Sequence, residues 1–155
     1  MATVKAFSAL RFTDKAGDIS KNVCPPYDII SPAQREEYIK TSENNIIRLE
    51  LPIGENAYAD AGALYKKLRA DGILENDATE GIYVYEEEFE VYGEVKKIKG
   101  IFARVKLCEF SERIVLPHEE TLTKAKQDRL NLMRGTGCNF SSIYSLYSDE
   151  SGKIA

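Results

Sequence analysis

The 155 residues carry 21 Lys and Arg against 25 Asp and Glu, a net charge of -4 with the single histidine neutral, which argues against a broad surface for nucleic acid or anionic membrane. At that length, with 43% hydrophobic residues, one domain can bury roughly two-thirds of its unfolded surface, so it needs no disulfide or metal to stand. Cys24, Cys108 and Cys138 form no CxxC or disulfide framework, one histidine leaves no zinc set, and no apolar run reads as a membrane span or signal peptide, which fits a cytoplasmic setting.

Val4 to Phe12 (VKAFSALRF) alternates loosely and reads as a first strand, followed by a polar loop over Thr13 to Ser20. In VCPPYDII, Val23 to Ile30, two prolines hold the chain extended and withhold ladder donors, so the segment is an ordered loop or a sheet edge. Tyr27 and Asp28 either pack within a Pro-Pro turn or line a pocket, with Asp28 as a polar ligand. Ser31-Pro32-Ala33-Gln34 offers a cap, a proline at the first helical position and a glutamine able to reach back, which predicts a helix to about Lys40. Ile46 to Leu51 (IIRLEL) predicts a strand with Ile47, Leu49 and Leu51 on one face and Arg48 and Glu50 on the other.

Asn56 is placed to cap a helix from Ala57 to Ala70, in which Ala57, Ala61, Leu64, Tyr65 and Leu68 recur at helical spacing. Asp71-Gly72 closes it, Gly72 being suited to the left-handed C-terminal position. Gly81 to Val91 and Val95 to Cys108 predict a long hairpin turning at Tyr92-Gly93-Glu94. Its apolar residues do not share one parity, which predicts a bulge near Glu86 to Glu88. The three acids there face Lys96, Lys97 and Lys99, a pattern usual for a solvated face.

Leu116 to Tyr147 (LPHEETLTKAKQDRLNLMRGTGCNFSSIYSLY) holds the densest chemistry. Pro117 near the start and Gly135 and Gly137 just past the end punctuate a helix, and Ser142 to Tyr147 alternates like a strand. At about 100° per residue, Leu122, Ala125, Leu130, Leu132 and Met133 share a side with Lys126 and Arg129, and His118 and Glu119 join them if the helix reaches back. Charges in an apolar stripe need partners. Lys126 and Arg129 therefore point either to an anion site, Arg as a planar fork and Lys as a point charge, or to an ion-pair network with Glu119 or a hairpin acid. His118 reads as a proton carrier near neutral pH or as a helix cap or pocket wall. Glu120 is expected outward, and Thr121 and Thr123 read as caps or surface. Arg134-Gly135-Thr136-Gly137 follows a helix instead of opening one, so it reads as a C-terminal cap and not a phosphate loop.

Four segments in this order, CPPYDII, NNIIRLELP, the IYVYEEEF…GEVKKIKGIFARVKL hairpin and VLPHEETLTKAKQDRLNLMRGTGCNFSSIYSLY, resemble the bacterial family catalogued as domain of unknown function 1015. The likeness spans almost the whole chain. Members of that family are longer, and their Asp-Gly-His-His-Arg segment resembles the phosphate-binding motif of the ParB/sulfiredoxin-like superfamily, which includes a free-serine kinase and nucleotide-binding partition proteins. That segment is absent here. The resemblance implies the N-terminal part of a longer architecture, a nucleotide or phosphate site served by ATP or ADP with magnesium, and a small-metabolite kinase. It marks His118, Glu119, Thr121, Lys126, Asp128 and Arg129, with Tyr27 and Asp28 of the proline loop, as site candidates.

The expectation is a single α+β domain over residues 1–148, with a mixed or antiparallel sheet, a long hairpin and about three helices, and a polar tail or cut point over 149–155. Its function is expected to be part of a phosphate- or nucleotide-dependent enzyme, with a polar pocket between the PPYD loop and the HEET helix. The alternative is a non-catalytic binding or regulatory module that works with a C-terminal half or a partner. No metal site is expected among the candidate residues.

Overall fold

A computed structural model describes residues 2–118, 120–149 and 152. The architecture is α+β, with small antiparallel sheets and, among the described residues, four α-helices. In chain order the elements are β1 (Val4–Lys5), β2 (Leu10–Phe12), α1 (Pro32–Thr41), α2 (Ile47–Glu50), α3 (Ala57–Ala70), β3 (Leu74–Asn76), β4 (Tyr83–Val91), β5 (Glu94–Phe102), β6 (Arg104–Val105) and α4 (Thr123–Thr136). No helix of the described residues is long and apolar enough to cross a membrane. Internal contacts gather the chain into two compact units, residues 1–9, 76–119 and 144–155 in one and residues 10–75 and 120–143 in the other.

The second unit is helical. α1 starts as its sequence dictates: Ser31 Oγ accepts from the Gln34 amide at 3.3 Å, Gln34 Oε1 accepts from the Ser31 amide at 2.9 Å, and Pro32 sits in the first turn. α3 spans the expected range and ends at Asp71, with Gly72 at φ 69°. Asn56 occupies its cap position without a side-chain cap bond, so the start of α3 rests on packing. The core is Leu49, Ala61, Leu68, Leu74 and Leu132, with Phe12, Tyr58, Leu64, Tyr65 and Phe140 packed around it. β2 pairs with β3 beside it, and Thr13 Oγ1 donates to the Gly72 carbonyl at 2.6 Å.

α3 and α4 cross where each carries a glycine. A Cβ on Gly62 would overlap the Gly135 carbonyl oxygen, and a Cβ on Gly135 would lie 2.5 Å from the Tyr58 carbonyl oxygen. Gly135 thus lies inside α4, and Gly137, at φ 72°, is the cap that ends it. This approach selects the face of α4 that packs. Leu132 and Thr136 are buried and Ala125, Asp128 and Arg129 half-buried, while Leu122 is 77% exposed. The expected stripe through Leu122, Leu130 and Met133 is corrected accordingly, because backbone proximity at the glycines, and not apolar content, sets the contact.

Two strand expectations in this part of the sequence are also corrected. Ile47–Glu50 is a helical turn, held by Asn45, whose Oδ1 accepts from the Ile47 amide at 3.0 Å and whose Nδ2 donates to the Lys21 carbonyl at 2.7 Å. A short apolar run does not separate strand from buried helix by periodicity, and here tertiary partners decide. Ser142 to Tyr147 forms no strand, and Ile143 and Leu146 are each 87% exposed.

The first unit is built on the β4–β5 hairpin. Its register runs without interruption from Tyr83↔Phe102 to Val91↔Glu94, so there is no bulge at Glu86 to Glu88. Tyr83, Tyr85 and Phe89 set the packed face, and Val84 on the opposite face is 81% exposed. Tyr92 at φ 52° and Gly93 at φ 79° make the two-residue turn whose twist suits a hairpin. Lys97 pairs across the ribbon with Glu86 at 3.5 Å and Glu88 at 2.9 Å, all exposed. The expected first strand is interrupted. β1 pairs with β6, and Phe7 bridges Gly81, its ring 5.1 Å from that of Tyr83.

Candidate functional site

Arg129 lies on the packed side of α4 with its side chain 17% exposed. A guanidinium so placed needs acceptors, and it has them. Nη1 meets Glu50 Oε1 at 3.2 Å, Nη2 donates to the Glu50 carbonyl at 2.9 Å, and Nε donates to Asp128 Oδ2 at 2.9 Å. The ring of Tyr27 lies under the cation, 3.8 Å from Cζ to the centroid, a cation–π contact.

Around this centre the carboxylates are held in turn. Ser141 Oγ donates to Glu50 Oε1 at 2.5 Å, and Tyr58 Oη donates to Asp128 Oδ1 at 2.8 Å. The bond to Asp128, with some burial and the aspartate charge, raises the Tyr58 hydroxyl above its ordinary pKa. Cys24, two residues before the Pro-Pro step's second member, is pushed up to about 11 by burial first and by the Glu50 charge second. It therefore stays a thiol at neutral pH and has no nucleophile's character. The proline loop contributes Tyr27 through a short turn, Tyr27–Ile29, entered from Pro26 at φ -52° and ψ 138°.

The arrangement brings together Tyr27, Asp128 and Arg129 of the expected residues, and adds Glu50, Tyr58 and Ser141, which the sequence reading missed. The strand expectation puts Glu50 on the face opposite Ile47, Leu49 and Leu51, yet it is 8% exposed. The available signal was a carboxylate inside an apolar run, which needs a counter-ion as much as Arg129 does. Tyr58 and Ser141 carried no such mark. Lys126 does not turn inward as expected. It is exposed, as are Asp28 and Thr121. α4 begins at Thr123, so His118 is not on the helix; it is exposed and belongs to the hairpin unit. Glu119 lies outside the described residues.

Chemically the centre is two carboxylates on one guanidinium, with two hydroxyls relieving the excess negative charge. Arg129 serves as the node of an ion-pair network, the arrangement weighed beside the anion site from the sequence. Among the described residues no three His, Cys, Asp or Glu groups gather to hold a metal ion. The family model for proteins of unknown function DUF1015 matches residues 4–155.

The chain belongs to the DUF1015 family.

No curated protein and no solved structure matches it. Three of the four segments that carried the resemblance thus have a common physical sense in this DUF1015 chain. CPPYD supplies the tyrosine under the guanidinium, IIRLEL the buried glutamate, and the segment after HEET the arginine that joins them.

Proposed function

We propose that this DUF1015 chain is part of an enzyme that handles a phosphorylated small molecule, kinase-like in class, with the Lys126 side of α4 as its anion-facing surface. The observation that supports it is the contact between Tyr27 and Arg129, which fixes the proline loop to α4 three residues from Lys126. Residues three apart on a helix are surface neighbours, so a rigid, internally neutralised Arg129 backs an exposed lysine able to move onto a phosphate. Such positioning and charge compensation make up most of what a protein supplies in phosphoryl transfer. The likeness of longer family members to the ParB/sulfiredoxin-like superfamily supplies the reaction class.

A second reading, a non-catalytic binding module, is favoured by one observation: the donors of Arg129 go to carboxylates of this chain. Melting of the chain with and without ATP, ADP and inorganic phosphate, each with magnesium, separates the two. Under the first reading a nucleotide or phosphate raises Tm, and Lys126→Met removes the rise while leaving the ligand-free Tm in place. No ligand-dependent rise, or an equal rise in Lys126→Met, would sink the first reading.

A further inference from the structure

Two other arginines of the helical unit are less fully neutralised than Arg129. Arg35 of α1 is 8% exposed, and Arg48 of α2 is half-buried. Both are anchored by backbone carbonyls: Arg35 Nε donates to the Leu51 carbonyl at 2.7 Å, and Arg48 Nη2 to the Ile39 carbonyl at 3.0 Å. Carbonyls orient a guanidinium without neutralising it. The one carboxylate on Arg35 is Glu36, itself 57% exposed, and Arg48 has no ion pair among the described residues. Arg48 Nε is moreover a buried donor with no acceptor among the described residues. Buried donors are nearly always satisfied, and this one leaves the Arg48 guanidinium with few internal acceptors for its five donors.

Both arginines line one open, shallow cleft of about 460 Å³ beside α1, α2 and the first half of α3. That volume lies within the range of small-molecule sites. Ile53 and Leu64 give it an apolar wall, and Glu43 and Asp60 stand in its lining as exposed carboxylates. Exposed charges are screened by water and salt, whereas the two guanidinia act from lower dielectric. The guanidinia therefore favour an anion in the cleft, and the two carboxylates of the same lining penalise a polyanion.

We propose that this cleft binds a small organic molecule carrying one anionic oxygen group, a carboxylate or a monophosphate, on a compact apolar body. The oxygens accept from the Arg48 and Arg35 guanidinia, and the body lies against Ile53 and Leu64. This site is separate from the Lys126 surface and does not depend on it.

The test follows the ¹⁵Nε–¹H signals of the arginines in the full chain during titration with isovalerate and, separately, with inorganic phosphate. Arg48 is expected to shift saturably with at least one of them, isovalerate alone pointing to a carboxylate and phosphate alone to a phosphoryl group. ATP should bind more weakly than the better of the two. Arg48→Gln should weaken binding about tenfold or more, the scale of one lost charged hydrogen bond. Because Arg48→Gln removes the bond to Ile39 and can disturb folding, Ile53→Trp provides a second probe. It fills the cleft from an exposed position (63%) and should abolish the shift without lowering Tm. In Lys126→Met the Arg48 shift with isovalerate should be the same as in the unmodified chain, so failure at the Lys126 surface and failure here give different results. Absence of a saturable Arg48 shift with both probes, or an unchanged shift in Ile53→Trp, overturns the proposal.

Discussion

Removing Arg129 tests whether the network at its guanidinium holds the helical unit together. Arg129→Met keeps a long side chain over Tyr27 but leaves the Glu50 carboxylate, whose side chain is 10% exposed, without its cation. Loss of one partner of a buried pair costs roughly 3–5 kcal/mol, most of it the stranded charge. For a chain of this size that is a fall in melting temperature of about 10 °C. Glu50→Gln in the same background removes the stranded charge while keeping an acceptor for Ser141, so the double variant should recover at least about 1 kcal/mol over Arg129→Met. Urea unfolding of the unmodified chain, both single variants and the double variant gives the cycle. A loss below about 1 kcal/mol for Arg129→Met, the value of an exposed pair, would refute the reasoning, as would a double variant no better than the single.

Three further outcomes follow from the same structure. Gly135→Ala gains about 1 kcal/mol of helix propensity but drives a methyl against the Tyr58 carbonyl oxygen, backbone that cannot turn aside, so it should lower the urea midpoint; a rise would mean that α3 and α4 do not approach at the glycines. Cys24 ionises near 9.0 when unfolded and near 11 when folded, so between those values the folded state holds the extra proton and this group's contribution to stability is lost as pH rises. Its alkylation rate by iodoacetamide should climb towards about pH 11, and an inflection near 9 in the folded chain would contradict the burial beside Glu50. Lys97→Ala removes two exposed ion pairs of the hairpin and should change stability by less than about 0.5 kcal/mol in the same urea assay.

Local chemistry made several elements legible in advance. The capping box at Ser31 and Gln34, the Asp71-Gly72 ending of α3, the Tyr92-Gly93 turn and the Gly137 cap all act over a few residues, and the chain needs nothing distant to form them. By the same local logic, IIRLEL reads as a strand and the mixed parity of the hairpin as a bulge, because alternation is visible and burial is not. The demand that Arg129 find a partner was also evident from the sequence, since a charge on a packed helix face must be compensated. Which carboxylate would answer it was decided only in three dimensions: Glu50 is 79 positions away, Ser141 reaches it from beyond α4, and the glycine crossing of α3 and α4 turns Arg129 inward and leaves Lys126 in water. Caps and turns are set by neighbours in the chain, whereas the partner of a buried charge is set by packing between segments distant in it.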